Sequence, residues 1–232
     1  MIYLYIAKEM CIFARSWEYT ACKVTIFYAC VFSQILKDVN KVESNLQQEV
    51  RNAVEVLRRG GVILYPTDTI WGLGCDATNA EAVERIYAIK QRDLSKSLLV
   101  LADSVARVEA FVEELPPIAW DLIEVSSSPL TIIYPKGKNL APNVLASDGS
   151  VGIRVTSEAF SKALCEAFHA PIVSTSANFS GQPSPANFRE ISDELLQCVD
   201  YVVDYRRDDV EKKRPSSVIK LMKNGTFAIL RK

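Results

Sequence analysis

Apolar residues recur at helical spacing at Leu46, Val50, Ala53, Val54 and Leu57. This predicts a helix over Asn45–Arg59 with Ser44 as its N-cap and Gly60-Gly61 as its stop. The apolar run Val62–Tyr65, closed by Pro66, reads as a buried strand. Ala80–Lys90 is again helical, and Leu98–Leu101 is a second buried strand. Helices over Ser104–Val112, Pro116–Val125, Ser157–Phe168 and Ile191–Val199 alternate with strands at Thr131–Tyr134, Gly152–Val155, Ile172–Ser174 and Tyr201–Asp204. Ser217–Leu221 and Thr226–Leu230 read as strands joined by Lys223-Asn224-Gly225, a hairpin signal. The alternation gives an α/β class. The final hairpin makes the sheet mixed, with parallel and antiparallel pairs and flanking helices.

Residues 1–36 depart from this pattern. They are rich in Tyr, Phe, Ile and Cys, and Lys8, Glu9, Arg15, Glu18 and Lys23 interrupt their apolar character. The longest uncharged run, Val24–Leu36, falls short of the about 20 residues that cross roughly 30 Å of hydrocarbon. A basic leader with a small-residue cleavage site is not visible, and Glu9 and Glu18 count against a transit peptide. The segment reads as a poorly packed extension translated from an upstream start, with a membrane-surface or partner-binding segment as the alternative. The chain then divides into an extension over 1–36 and one α/β domain over 37–232.

Composition narrows the function. At 232 residues and 49% hydrophobic, the chain can bury a sizeable core. A net charge of −1 gives no global field toward nucleic acid or an anionic membrane, so any RNA contact is local and weak. The six cysteines, Cys11, Cys22, Cys30, Cys75, Cys165 and Cys198, form no CxxC pair; their scatter points to a reducing cytoplasm. His169 is the only histidine, which argues against a histidine metal site or a Ser-His-Asp triad. Beside Ala170-Pro171 at a helix end, its expected role is structural.

Phosphate chemistry has several candidate carriers. Gly137-Lys138 is followed by Asn139 and lacks the upstream glycine of a P-loop. Gly72-Leu73-Gly74-Cys75-Asp76-Ala77 matches GxGxxA, but polar Pro66–Thr69 separates it from the strand. Its glycines then serve a tight turn or a close backbone approach. Lys90-Gln91-Arg92-Asp93-Leu94-Ser95-Lys96 puts three cations at a helix-to-strand junction, either as a solvated turn or as a cradle for one anion. Ser174-Thr175-Ser176-Ala177-Asn178 follows a strand, where ligands of open α/β sheets collect; a locally capped Ser/Thr turn is the alternative. Asp68, in Pro66-Thr67-Asp68-Thr69, suits a structural hydrogen-bonding role more than a cap or a metal. Arg154, on an apolar strand, needs an internal carboxylate or a substrate anion. Tyr205–Arg214 is a balanced charged run, read as a solvated loop or a flap near a site.

Tyr65-Pro66-Thr67-Asp68-Thr69 with Trp71-Gly72-Leu73, then Lys90-Gln91-Arg92, Gly152-Ile153-Arg154 and Ser174–Pro183 occur in one order and spacing. Together they resemble the signature of the threonylcarbamoyl-AMP synthase family, also called YrdC or Sua5, over roughly residues 40–232. Two departures are Asp93 where the family often has proline, and no histidine near Leu101.

The resemblance implies a twisted mixed sheet around a positively lined concave site. It also implies an enzyme that makes threonylcarbamoyl-AMP and pyrophosphate from L-threonine, bicarbonate and ATP, with Mg²⁺ carried by ATP and no protein metal site. A downstream threonylcarbamoyl-transferase complex passes the group to adenosine 37 of tRNA. By the same resemblance, Lys90 and Arg92 are catalytic. Lys90, Arg92, Lys96, Ser150, Ser176, Asn178 and Arg231 hold ATP, and Thr69, Arg154, Ser174 and Ser216 hold threonine. The competing expectations are an RNA- or nucleotide-binding module of this fold, or a carbamoyl-transfer domain.

Overall fold

The computed structural model describes residues 20–210, 215–222 and 226–231. The chain divides into two compact units, Met1–Leu46 and Gln47–Lys232. Helix α1 runs Thr20–Arg58 and contributes to both. In the first unit it exposes Phe32, Ile35, Val39 and Val42. Most of the expected 1–36 extension precedes the described residues. Ser44 is not an N-cap: its hydroxyl donates to the Lys41 carbonyl at 2.8 Å inside the helix. The first glycine of the chain is Gly60 and the first proline Pro66, so nothing breaks the helix earlier. Among the described residues no helix is long and apolar enough to cross a membrane.

In the second unit the end of α1 buries Val50, Ala53, Val54 and Leu57. Buried Glu49 accepts from the Tyr201 hydroxyl at 2.8 Å and the Asp204 amide at 2.6 Å. Gly60, at φ +76°, ends the helix in a conformation that costs glycine little.

The remaining elements are β1 (Ile63–Tyr65), β2 (Gly72–Gly74), α2 (Ala80–Lys90), β3 (Leu99–Ala102), α3 (Val105–Glu109), α4 (Pro117–Val125), β4 (Leu130–Tyr134), β5 (Val151–Val155), α5 (Ala159–Phe168), β6 (Ile172–Ser176), α6 (Asp193–Gln197), β7 (Tyr201–Val202), β8 (Ser217–Leu221) and β9 (Phe227–Arg231). Short 3₁₀ turns lie at Pro142–Val144 and Phe188–Glu190. The strands form one nine-stranded sheet in the order β7-β1-β2-β6-β3-β5-β4-β8-β9. The pairs β1·β7, β3·β5 and β4·β8 are parallel and the others antiparallel, so the mixed sheet is as expected. Leu64, Leu73, Val100, Ile132, Ile153 and Val173 join Val83, Ile86 and Tyr87 of α2 in the core.

Some expectations need correction. Gly72-Leu73-Gly74 is a strand, not a turn. The glycines serve close approach instead: a Cβ on Gly74 would stand 2.6 Å from the Tyr65 ring and 2.9 Å from the Val173 carbonyl. The helix expected over Ile191–Val199 is only Asp193–Gln197, because Ser192 caps it by accepting from the Leu195 amide at 3.3 Å. The turn Lys223-Asn224-Gly225 lies outside the described residues, as do Cys11 and the side chains of Cys22 and Cys30. Cys75 and Cys165 are buried free thiols and Cys198 an exposed one. His169 caps α5 in the left-handed region at φ 60°, as a structural role requires.

Candidate active site

A cleft of about 230 Å³ opens where β1 and β6 end and where β2 and β8 begin. Register explains the convergence: Gly72 pairs with Tyr65 on one side and with Ser176 on the other. Arg92, Arg154 and Arg231 line the cleft beside the hydroxyl residues Thr67, Thr69, Ser97, Ser174, Thr175, Ser176, Ser184 and Ser216, with no carboxylate in the lining. Guanidiniums fork onto pairs of anionic oxygens, and hydroxyls donate to the rest. A chain of net charge −1 therefore holds a locally cationic cleft.

Arg154 is 3% exposed and lies on β5 between Leu101 of β3 and Thr131 of β4. Its Nη2 stands 3.1 Å from Asp68 Oδ1, which supplies the internal carboxylate its strand position demands. Burial pulls the guanidinium pKa below its ordinary value, and Asp68 opposes that shift. Arg154 Nε is buried without a hydrogen-bond partner among the described residues. It is one of the few unmet donors of the described interior, on a residue that also lines the cleft.

Arg231 closes β9. Its Nε donates to the Ser216 carbonyl at 2.8 Å and its Nη2 to the Ser216 hydroxyl at 3.4 Å. Ser216 Oγ lies 2.7 Å from Thr131 Oγ1, tying β9, β8 and β4 together at the cleft. Gln91, left-handed at φ 51°, turns the chain out of α2 and sets Arg92 on the rim. There Arg92 Nη2 donates to the Ser97 carbonyl at 3.0 Å. Thr67 Oγ1 donates to the Ile70 carbonyl at 2.7 Å and sits 3.1 Å from Thr69 Oγ1, fixing the loop after β1. The next wall is Trp71, packed on Phe188 at 4.8 Å between ring centroids, with the Arg207 guanidinium 5.1 Å from the Phe188 ring. Burial raises the Tyr65 pKa far above the usual phenol range, so this hydroxyl stays protonated.

The structure brings Thr69, Arg92, Arg154, Ser174, Ser176, Ser216 and Arg231 into one cleft. It does not bring Lys90, Lys96, Ser150 or Asn178 into the lining. Lys90 is 1% exposed and donates to the carbonyls of Ser176 and Asn178 at 2.5 and 2.7 Å. Lys96 is exposed. Ser150 is buried beside Asp148, to which its amide donates at 2.9 Å. Asn178 spends its amide on the Gln182 carbonyl at 2.6 Å and the Phe179 carbonyl at 3.1 Å.

The sequence reading also missed Ser97 and Ser184, which line the cleft. Ser184 follows Pro183, where the noted motif stopped, and one more residue would have found it. The described part of the 205–214 run is a loop whose start is packed and whose residues 208–210 are exposed. Tyr205 stacks on Phe160 at 5.9 Å, and Arg206 bridges Glu158 at 3.0 Å and Asp209 at 2.6 Å. Residues 211–214 of that run lie outside the described ones.

The Sua5/YciO/YrdC family model, described as "Telomere recombination", matches residues 55–232. A threonylcarbamoyl-AMP synthase of Pseudoalteromonas translucida is 35% identical over 161 residues, covering 68% of this chain and 86% of the relative. Among solved structures, P. abyssi Sua5 complexed with L-threonine superposes with a TM-score of 0.65 at 28% identity, covering 74% of this chain. The present chain spans 50% of that Sua5 chain. E. coli YciO gives 0.70 at 29% identity, covering 80% of this chain and 89% of its own.

Proposed function

This chain belongs to the Sua5/YciO/YrdC family, and from that premise we propose that it is an L-threonylcarbamoyladenylate synthase, a nucleotidyltransferase using L-threonine, bicarbonate and ATP. The observation that carries this reading is the arginine-lined cleft, with Arg154 buried and its Nε unspent. Two anions must meet there, a carbamate and a triphosphate, and the polar side chains of the lining are guanidiniums and hydroxyls, which can donate to both. The P. abyssi relative that binds L-threonine has the same fold, which supports threonine as the amino acid. Arg154 takes the threonine carboxylate, with Thr69, Ser174 and Ser216 around it. Arg92, Arg231 and Ser176 take the triphosphate; Lys96, Ser150 and Asn178 stand outside the lining and are given no contact with it.

The threonine amine, once neutral, adds to bicarbonate and releases water, giving a carbamate. A carbamate oxygen attacks the α-phosphorus, and pyrophosphate leaves. The anionic carbamate needs no base, which suits a cleft lined without histidine or carboxylate. The chain's own work is to orient two anions and to stabilise charge developing on the transferring group. The lining suits a Mg²⁺ delivered on ATP, because the protein side offers hydroxyls and guanidiniums. The product suits consumption by a tRNA-modifying transferase complex in the cytoplasm. The catalytic domain is taken as residues 37–232, with 1–36 as an extension.

Incubation with ATP, threonine and ¹³C-bicarbonate tests the reading by mass spectrometry. A product carrying threonine, one labelled carbon and AMP is expected. Recovery of only ADP or AMP would contradict it.

A further inference from the structure

Lys90 is the last residue of α2 and is 1% exposed. Its Nζ donates to the Ser176 carbonyl at 2.5 Å, the Asn178 carbonyl at 2.7 Å and Asn178 Oδ1 at 3.4 Å. An ammonium has three N–H donors, so each has an oxygen. The Lys90 carbonyl accepts from the Ser180 amide at 2.8 Å, so the same residue grips the loop a second time. Asn178 passes the hold onward to the Gln182 carbonyl at 2.6 Å. Ser176, whose carbonyl Lys90 holds, lines the cleft; Lys90 does not.

We propose that Lys90 is a positioning residue: its buried ammonium fixes the carbonyls of Ser176 and Asn178, setting the cleft wall at the end of β6, and it makes no contact with the bound anions. A direct phosphate contact would require the ammonium to give up its bonds to these part-buried loop oxygens, leaving the Ser176 carbonyl with only the Asn178 amide. Arg92 is the charged group that bears on Lys90, and it is a cation, so the three loop oxygens carry the whole compensation. The inference rests on the proposed function for what fills the cleft, but its test does not.

Hydrogen exchange of the ligand-free protein, wild type against Lys90→Met, decides it. The Asn178 amide, bonded to the Ser176 carbonyl, and the Ser180 amide report the loop. Their exchange is expected to rise about tenfold or more in the variant, since deleting one partner of a buried bond leaves the other unmet. Binding of a non-hydrolysable ATP analogue should weaken with its salt dependence kept, whereas Arg92→Ala should flatten that dependence and leave loop exchange alone. Unchanged loop exchange with a flattened salt dependence in Lys90→Met would overturn the proposal. If Lys90→Met does not fold, Lys90→Gln, which keeps one donor group, should show intermediate exchange, and wild-type exchange there would also overturn it. Because exchange needs no substrate, a wild type that releases no pyrophosphate would sink the enzymatic reading alone.

Discussion

The Arg154 guanidinium lies 3.1 Å from the Asp68 carboxylate, in a pair whose side chains are 4% and 9% exposed. The pair joins the loop after β1 to the end of β5, at a residue that lines the cleft. Asp68→Asn leaves that charge buried without its counter-ion. The free energy of unfolding is expected to fall by about 3–5 kcal/mol, measured by urea denaturation. Adding Arg154→Met should restore part of it while abolishing threonine binding. A single variant as stable as wild type would mean that the pair is not what compensates Arg154.

Arg92 separates catalysis from stability. It is half-buried on the rim, where Nη2 donates to the Ser97 carbonyl at 3.0 Å and Nε to the Lys96 carbonyl at 3.3 Å. Arg92→Ala should cost about 1 kcal/mol of stability or less. Removing a preorganised donor from developing charge should lower turnover by about 10²–10³. Single-turnover pyrophosphate release would show this, and a wild-type rate would remove Arg92 from the mechanism.

Lys90 gives a pH signature. Burial, with Arg92 adding to it, pulls its pKa down to about 8 from 10.5. Below about pH 8 both folded and unfolded chains hold the proton, and the burial cost is fully present. Between about 8 and 10.5 the folded chain releases it first, the unfolded chain binds more protons, and this group makes stability rise with pH. Against Lys90→Met, the wild type should gain up to about 1.4 kcal/mol per pH unit in that window. Turnover should move the other way, because a neutral amine keeps two N–H donors and drops one loop bond. Parallel stability profiles for the two proteins would show that Lys90 does not titrate there.

Close packing across β1, β2 and β6 is testable with two glycines. A Cβ on Gly74 would press the Tyr65 ring at 2.6 Å and the Val173 carbonyl at 2.9 Å. Gly74→Ala should therefore cost about 1–3 kcal/mol by overpacking. Gly152→Ala is the control: its Cβ would meet Thr131 Cγ2 at 3.5 Å, an ordinary contact, and should change stability by less than about 0.5 kcal/mol. Equal thermal midpoints for the two variants would contradict the register.

Much of this was legible in the residues, and each miss has a physical cause. The bounds of α2 and β8 follow from apolar spacing alone. Strand β2 did not, because two glycines in three residues carry little strand propensity and the pairing is set by what their missing side chains admit. Helix α1 extends past Ser44 because a good cap residue does not stop a helix when no breaker precedes it. Arg154 announced itself as a charge on an apolar strand, while its partner Asp68 is brought there only by the tertiary fold. Lys90 left a signal that went unused: it stands four residues after Ile86 and seven after Val83, on the buried face of α2. That places its head among core-side carbonyls and away from the exposed turn that carries Lys96.

The central claim is that the arginine-lined cleft joins a carbamate to the α-phosphate of ATP. Pyrophosphate release from ATP and Mg²⁺, with L-threonine and bicarbonate each supplied or withheld, tests it most directly. The account predicts release only when both are present. Release that persists without threonine, or none from folded protein under any combination, would contradict it.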